Sequence, residues 1–176
     1  MAFAHDTETS LLAAVSLVNS AEPPDTLTSS AELEEFRTQF GYTGRHDGDE
    51  AELAEVRALR PRLRELLTAD RDRAVAIVND LLQRAEATPR LVRHGEHDWH
   101  IHVVDPETPF AERIAAETAM AMVDVIRTDE MSRLGICARD DCESVVLDLS
   151  RNRSKIFCGP SCSNRAAVAA YRARQR

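Results

Sequence analysis

Three features of the sequence predict a mainly α (α+β) fold: a helical N-terminal domain with a small β-hairpin, then a compact C-terminal module cross-linked through cysteine. Apolar residues recur at helical spacing through most of residues 9–130. One segment, Trp99-His-Ile-His-Val-Val104, alternates instead. All four cysteines lie in the last forty residues, as Cys137-x4-Cys142 and Cys158-x3-Cys162, with fifteen residues between the pairs. At 176 residues the chain can bury one core of about 130 residues and carry an appendage.

Thr9 to Ser20 places Leu11, Leu12, Val15, Leu17 and Val18 on helical spacing, with Asp6 and Thr7 ahead as candidate caps. Glu22-Pro-Pro-Asp25 ends that helix and makes a loop. Ser29-Ser-Ala-Glu32 is a capping box, opening a short helix through Phe40 that Gly41 stops. A longer stripe of Leu53, Val56, Leu59, Leu63, Leu66 and Leu67 begins at Glu50, and Pro61 within it predicts a kink or two abutting helices. Asp70 to Ala85 is a further amphipathic helix on Val75, Ile77, Val78, Leu81 and Leu82. Arg90-Leu-Val-Arg93 and Trp99–Val104, on either side of His94-Gly-Glu-His-Asp98, read as a β-hairpin. Its second strand turns Trp99, Ile101 and Val103 one way and His100, His102 and Val104 the other. Thr108-Pro109 opens a last helix to about Glu130, rich in Ala and Met and so expected to be buried. Residues 1–131 are thus read as the helical domain and 132–176 as the module.

Two close cysteine pairs a short span apart are what a tetrahedral metal site needs, because each pair closes a knuckle and the two knuckles offer four soft thiolates to one ion. Cys137, Cys142, Cys158 and Cys162 are therefore expected to hold one Zn2+ per chain, structural because the protein supplies every ligand. Within the module the spacing predicts a knuckle at Ala138–Asp141, a strand at Val145–Leu149 and a turn at Ser150–Ser154. A return strand at Lys155–Phe157 and a final helix, its first turn bracketed by Cys158 and Cys162, complete a treble-clef-like zinc finger. A module of about forty residues lacks the core to fold alone, so the metal contributes much of its folding free energy.

The formal net charge of -8 is divided unevenly. Residues 133–176 hold nine Arg/Lys against Asp140, Asp141, Glu143 and Asp148, a net +5 that leaves -13 on the remainder. Residues 151–176 carry seven basic side chains and no acidic one, an electrostatic footprint for phosphates. On the final helix Arg165, Arg172 and Arg176 fall within about 40° of one another. Val168 and Tyr171 form an adjoining face suited to packing on the knuckle. With Arg151, Asn152, Arg153 and Lys155 at the turn, these basic residues are the candidate contacts to double-stranded DNA, where Arg or Asn152 could reach a base edge. Arg165 has a second candidate role, pairing with Asp148 to brace the fold.

Cys137-x4-Cys142, Asp148-Leu-Ser-Arg-Asn-Arg-Ser154 and Cys158-x3-Cys162-Ser-Asn-Arg165 resemble the CGNR zinc finger. Leu11-Leu-Ala-Ala-Val-Ser-Leu-Val-Asn19, Val56-Arg-Ala-Leu-Arg60 and the hairpin containing Trp99 resemble the ABATE domain that precedes this finger in bacterial stress-induced transcription regulators. Two positions depart from the pattern: the signature glycine is Ser163, and Ile156-Phe157 replaces the usual basic-aromatic pair. The resemblance implies transcriptional regulation by DNA binding through the finger, with the N-terminal domain as sensor, dimerisation unit or both.

Other groupings carry competing expectations. Asn19, Arg57, Arg60 and Arg64 could line a pocket for an anionic small-molecule effector, or the arginines could simply pair with Glu55 and Glu65 on a helix surface. His94, His97, His100 and His102 could hold a second metal with Glu96 or Asp98, or be plain surface and packing residues. No nucleophile elbow, phosphate-binding glycine loop or paired catalytic carboxylate motif is present, so an enzyme is not expected. Phe157 and Tyr171 alone in the finger could stack on bases, which disfavours RNA. The competing class is a zinc-stabilised protein-interaction adaptor that does not touch DNA. One small finger seldom binds specifically by itself, so a homodimer through the N-terminal domain is expected. No apolar run reaches the ~18 residues of a membrane span, and the first residues lack a basic n-region. A cytoplasmic location follows, where reduced thiols favour metal over disulfides, and the resemblance implies that the cell is bacterial.

Overall fold

In the computed structural model, which describes residues 3–93 and 99–175, six α-helices and two two-stranded antiparallel sheets are found among the described residues. Helix α1, His5–Asn19, begins four residues before the expected Thr9. Its N-cap is Ala4, with no side-chain cap, because Asp6 and Thr7 are spent on tertiary contacts instead. Asp6 Oδ2 accepts from the Ile101 amide at 3.0 Å, and the Thr7 hydroxyl donates to Asp124 Oδ2 at 2.6 Å.

Helix α2, Ser30–Gln39, opens on the expected capping box: the Ser29 hydroxyl accepts from the Glu32 amide, and the Glu32 carboxylate accepts from the Ser29 amide. Gly41, at φ +67°, takes the left-handed conformation that ends it. Helix α3, Glu50–Thr68, is capped by Asp49 and runs unbroken through Pro61, so neither a break nor a second helix forms there. The reason lies in the two faces of the helix. Pro61 and the residue whose carbonyl it leaves unbonded, Arg57, are both exposed, while Val56, Leu63, Leu66 and Leu67 continue the buried stripe on the other side. Helix α4, Arg71–Arg84, is capped by Asp70.

Strands β1, Arg90–Val92, and β2, His100–His102, pair with Leu91 opposite Ile101. The hairpin is therefore present, and His100 and His102 do share a face, with ring centroids 5.0 Å apart. Val103 and Val104 are both buried after the strand ends, packed with Ala116. His94 and His97, with Glu96 and Asp98, lie outside the described residues.

Helix α5, Phe110–Arg127, is the axis of the molecule and packs against α1, α3 and α4. Phe110, Ile114, Met122 and Val125 are fully buried on it, against Leu11, Leu17, Leu63, Leu66 and Ile77. Each such side chain contributes roughly 1.5–3 kcal/mol by leaving water. The loop at 42–48 is strapped to the start of α5: Gly44, at φ +88°, stands where a Cβ would meet the Pro106 carbonyl oxygen at 2.5 Å. That close approach lets the Arg45 amide donate to the same carbonyl at 2.8 Å. Among the described residues no helix is long and apolar enough to cross a membrane.

Candidate metal centre and nucleic-acid interface

After a 3-10 turn at Met131–Arg133, strand β3, Leu134–Ile136, leads to Cys137, and strand β4, Val145–Leu147, follows the knuckle. The expected partner of β4 was Lys155–Phe157; its partner is β3 instead, with Gly135 opposite Val146. The cause is the buried Asp148. Its Oδ1 accepts from the Ser150 amide at 2.7 Å and its Oδ2 from the Lys155 amide at 2.8 Å, so residues 150–155 close on a side chain rather than on a strand. Burial alone would raise the Asp148 carboxyl, but these hydrogen bonds outweigh it and hold the group below its ordinary value.

The three residues of β4 are all buried, and they divide by face. Val145 and Leu147 belong to the core built on α5, while Val146 packs with Cys137 and Cys162. The finger is therefore rooted in the core of the helical domain.

The knuckle closes when the Cys137 amide donates to the Ser144 carbonyl at 2.9 Å and the Cys142 amide to the Arg139 carbonyl at 3.1 Å. Helix α6, Pro160–Arg174, has Gly159 as N-cap and Pro160 at its first position, where a missing N–H costs nothing. Cys158 precedes the cap and Cys162 lies in the first turn, where the helix dipole favours a thiolate. The four sulfur atoms all lie within 4.8 Å of one another. Cys142, Cys158 and Cys162 form a triangle with edges of 3.7, 3.5 and 3.8 Å. Sulfurs bound tetrahedrally about 2.3 Å from one ion stand roughly 3.8 Å apart, so the donor set fits zinc.

The electrostatics fit as well. The Ser144 hydroxyl and amide hold the Cys142 thiol down to about 7, whereas burial and the adjacent sulfurs push Cys158 up to about 12. Close thiolates repel until a divalent cation sits among them. Arg139, ion-paired to Asp141, holds Nη1 4.0 Å from Cys162 Sγ. Ser163 fits where the signature has glycine, its hydroxyl donating to the Pro160 carbonyl at 3.1 Å.

Of the candidate DNA contacts, Arg151, Asn152, Lys155, Arg165 and Arg172 are exposed, and Arg176 lies outside the described residues. Arg153 is exposed as well, but is ion-paired to Glu130 Oε1 at 2.8 Å. Arg165 does not pair with Asp148, whose oxygens are taken by backbone amides; the bracing role falls to Arg133. Buried Arg133 joins Glu130 Oε2 at 2.7 Å to the carbonyls of Asp148 and Ser150 at 2.9 and 3.1 Å. No local signal in the sequence marks it. Val168 and Tyr171 do not pack on the knuckle; they are 48% and 59% exposed, and Cys162 is the one buried residue of α6.

The candidate effector residues are engaged within the chain. The Asn19 amide donates to the Val145 carbonyl at 2.8 Å and accepts from the Val145 amide at 2.7 Å, completing the free edge of β4. Arg57 and Arg60 both bind Asp25, and Arg60 holds that carboxyl down to about 2. Arg64 reaches Glu22 at 3.2 Å and the Glu143 carbonyl. The expected partner Glu65 is bound by Arg62 and Arg73 instead.

Comparison with known families agrees with this geometry. The ABATE family model, described as "Putative stress-induced transcription regulator", matches residues 12–129. The CGNR zinc finger model matches residues 133–175. A search of curated proteins finds no match. The helical domain around α5 and the four-cysteine cluster that follows it thus occupy the two matched spans in order, and the chain belongs to the ABATE family, with a CGNR zinc finger after its ABATE domain.

Proposed function

We propose that the chain is a transcription regulator that binds duplex DNA through its zinc finger, with the ABATE domain sensing an effector and forming a homodimer. The observation that carries the reading is the basic surface on and beside α6. Arg151, Lys155, Arg165 and Arg172 are exposed, and none of them makes an ion pair within 4 Å among the described residues. Arg165 and Arg172 are seven residues apart, hence on one helix face about 10 Å from each other along the axis. Such an array suits successive phosphates, and zinc makes it rigid.

The zinc-loaded full-length chain is expected to bind duplex DNA with log K falling against log salt at a slope of roughly -3 to -5. Arg172→Ala with Arg176→Ala should weaken binding across sequences and flatten that slope by about 1–2. Unchanged affinity in the double variant would remove the basic helix from the reading. The rival is an adaptor that docks a protein through the exposed Ile156, Val168 and Tyr171. It predicts no salt-dependent DNA binding at all by the intact chain. The homodimer is checked by one mass measurement in solution, which a monomer would overturn.

A further inference from the structure

The space for a ligand lies away from the arginines of α3. A cavity of about 640 Å³ opens between the first turn of α1, the end of α2 with the loop that follows, and β2. Small-molecule sites span roughly 300–1,000 Å³, so the volume suits a compact organic ligand.

Its lining is acidic and aromatic. Asp6 and Glu117 contribute carboxyls, Tyr42 and Trp99 contribute rings, His100 and His102 contribute imidazoles, and no described lysine or arginine lines it. Asp6 is committed, since its two oxygens accept from the amides of Ile101 and Thr7 at 3.0 and 2.9 Å. Glu117 has no hydrogen bond and no ion pair within 4 Å among the described residues. Burial pushes its carboxyl up to about 7, against the pull of Arg113. Arg113 itself is buried and turned to other work, donating to the carbonyls of Thr108 and Arg45. Tyr42 is only 6% exposed, and its hydroxyl also lacks a hydrogen-bond partner.

A buried hydroxyl and a part-buried carboxyl, both without a protein partner beside an open cavity, leave hydrogen-bonding and charge capacity that a ligand could use. An anion would meet two carboxyls and no lysine or arginine, with the imidazoles of His5, His100 and His102 as the basic groups of the lining. A cation would find a counter-ion in Glu117 and aromatic faces at the wall. Chelation of a metal is less well served, because the cysteine cluster is the one group of three or more potential ligands that converges among the described residues.

We propose that this cavity binds a small organic cation, a protonated amine on an apolar or aromatic body, with Glu117 as its counter-ion and Trp99 and Tyr42 as its walls. The inference deepens the effector-sensing part of the function proposed above and rests on it for its biological meaning, but not for its test.

Trp99 is the single tryptophan of the chain and lines the cavity, so its fluorescence reports occupancy. The zinc-loaded full-length protein is titrated with phenethylamine, protonated at neutral pH, and with phenylpropionate, an anion of similar shape. The amine is expected to give a saturable response and the carboxylate none. Glu117→Gln should weaken the amine roughly tenfold or more while thermal unfolding shows the variant still folded. No response to the amine, equal responses to both probes, or an unaltered affinity in the folded Glu117→Gln protein would each overturn the proposal. So would a response to Ni2+ alone that His100→Ala abolishes, since that would assign the cavity to a metal. The readout uses no DNA, so its failure leaves the finger's role standing, and a failure of DNA binding leaves the cavity standing.

Discussion

The α5-centred core and the zinc finger are held together by opposite means. Around α5, Phe110, Ile114, Met122 and Val125 meet apolar side chains from three other helices, so the core is redundant and one truncation opens only one gap. The finger's own cluster is only Cys137, Val146 and Cys162, with Cys142, Cys158 and Phe157 partly covered. Most of its cohesion must come from four metal–sulfur bonds and from ties to the body. Spreading cohesion over many small contacts makes the body tolerant, whereas concentrating it in one ion makes the finger switchable as a unit.

The sharpest way to break the comparison is to take the metal away. Chelation, or Cys158→Ala, should abolish protection of the amides across α6 while leaving α3, α5 and the core-anchored β4 protected. Structural zinc contributes on the order of 10 kcal/mol in small fingers, far above any single core residue. Hydrogen exchange measured by mass spectrometry reads this by segment. Retained protection across α6 without zinc would contradict the account.

A smaller effect comes from the Glu117 carboxyl. Glu117 has a folded pKa near 7 against an ordinary 4.5, so the folded state holds its proton more tightly than the unfolded chain. Its contribution therefore penalises folding as pH rises: stability is lost between about pH 4.5 and 7 and stays flat above. Glu117→Gln should match the parent below pH 4.5 and exceed it at pH 8 by on the order of 2 kcal/mol, allowing for solvent in the cavity. Denaturant melts of both proteins at the two pH values check the sign; a constant difference would refute it.

Smaller again is the seam between the regions. Asn19→Ala leaves the Val145 amide and carbonyl unpaired at a buried edge, which costs about 1–2 kcal/mol. The loss should appear in unfolding of both regions together. If only the finger loosens, the two are less tightly joined than the shared core implies.

How much was legible follows the range of the interactions. The stripe of α4 apart from the exposed Val75, the buried Ala- and Met-rich α5, the Ser29–Glu32 capping box and the four-cysteine spacing all depend on neighbours within a few turns, and each was readable. Two abutting helices did not form at Pro61 because the contacts keeping α3 whole lie on other helices. The same holds for Asn19, whose partner is 126 residues away, and for Arg133, whose role depends on two carbonyls brought near only by folding. The pairing of β4 was missed because the Asp148 side chain claims amides that a return strand would have used. The cavity draws on α1, α2 and β2 at once, which no spacing within one segment can announce.

Helix α1 has a further consequence. Its fifteen residues make a rod about 22 Å long, and its ends touch different things. At one end Asp6 forms part of the cavity wall and pins β2; at the other Asn19 grips the strand that carries the finger. No loop intervenes along that path, so a displacement of the first turn is carried by the helix as a rigid body to the strand that follows the metal knuckle.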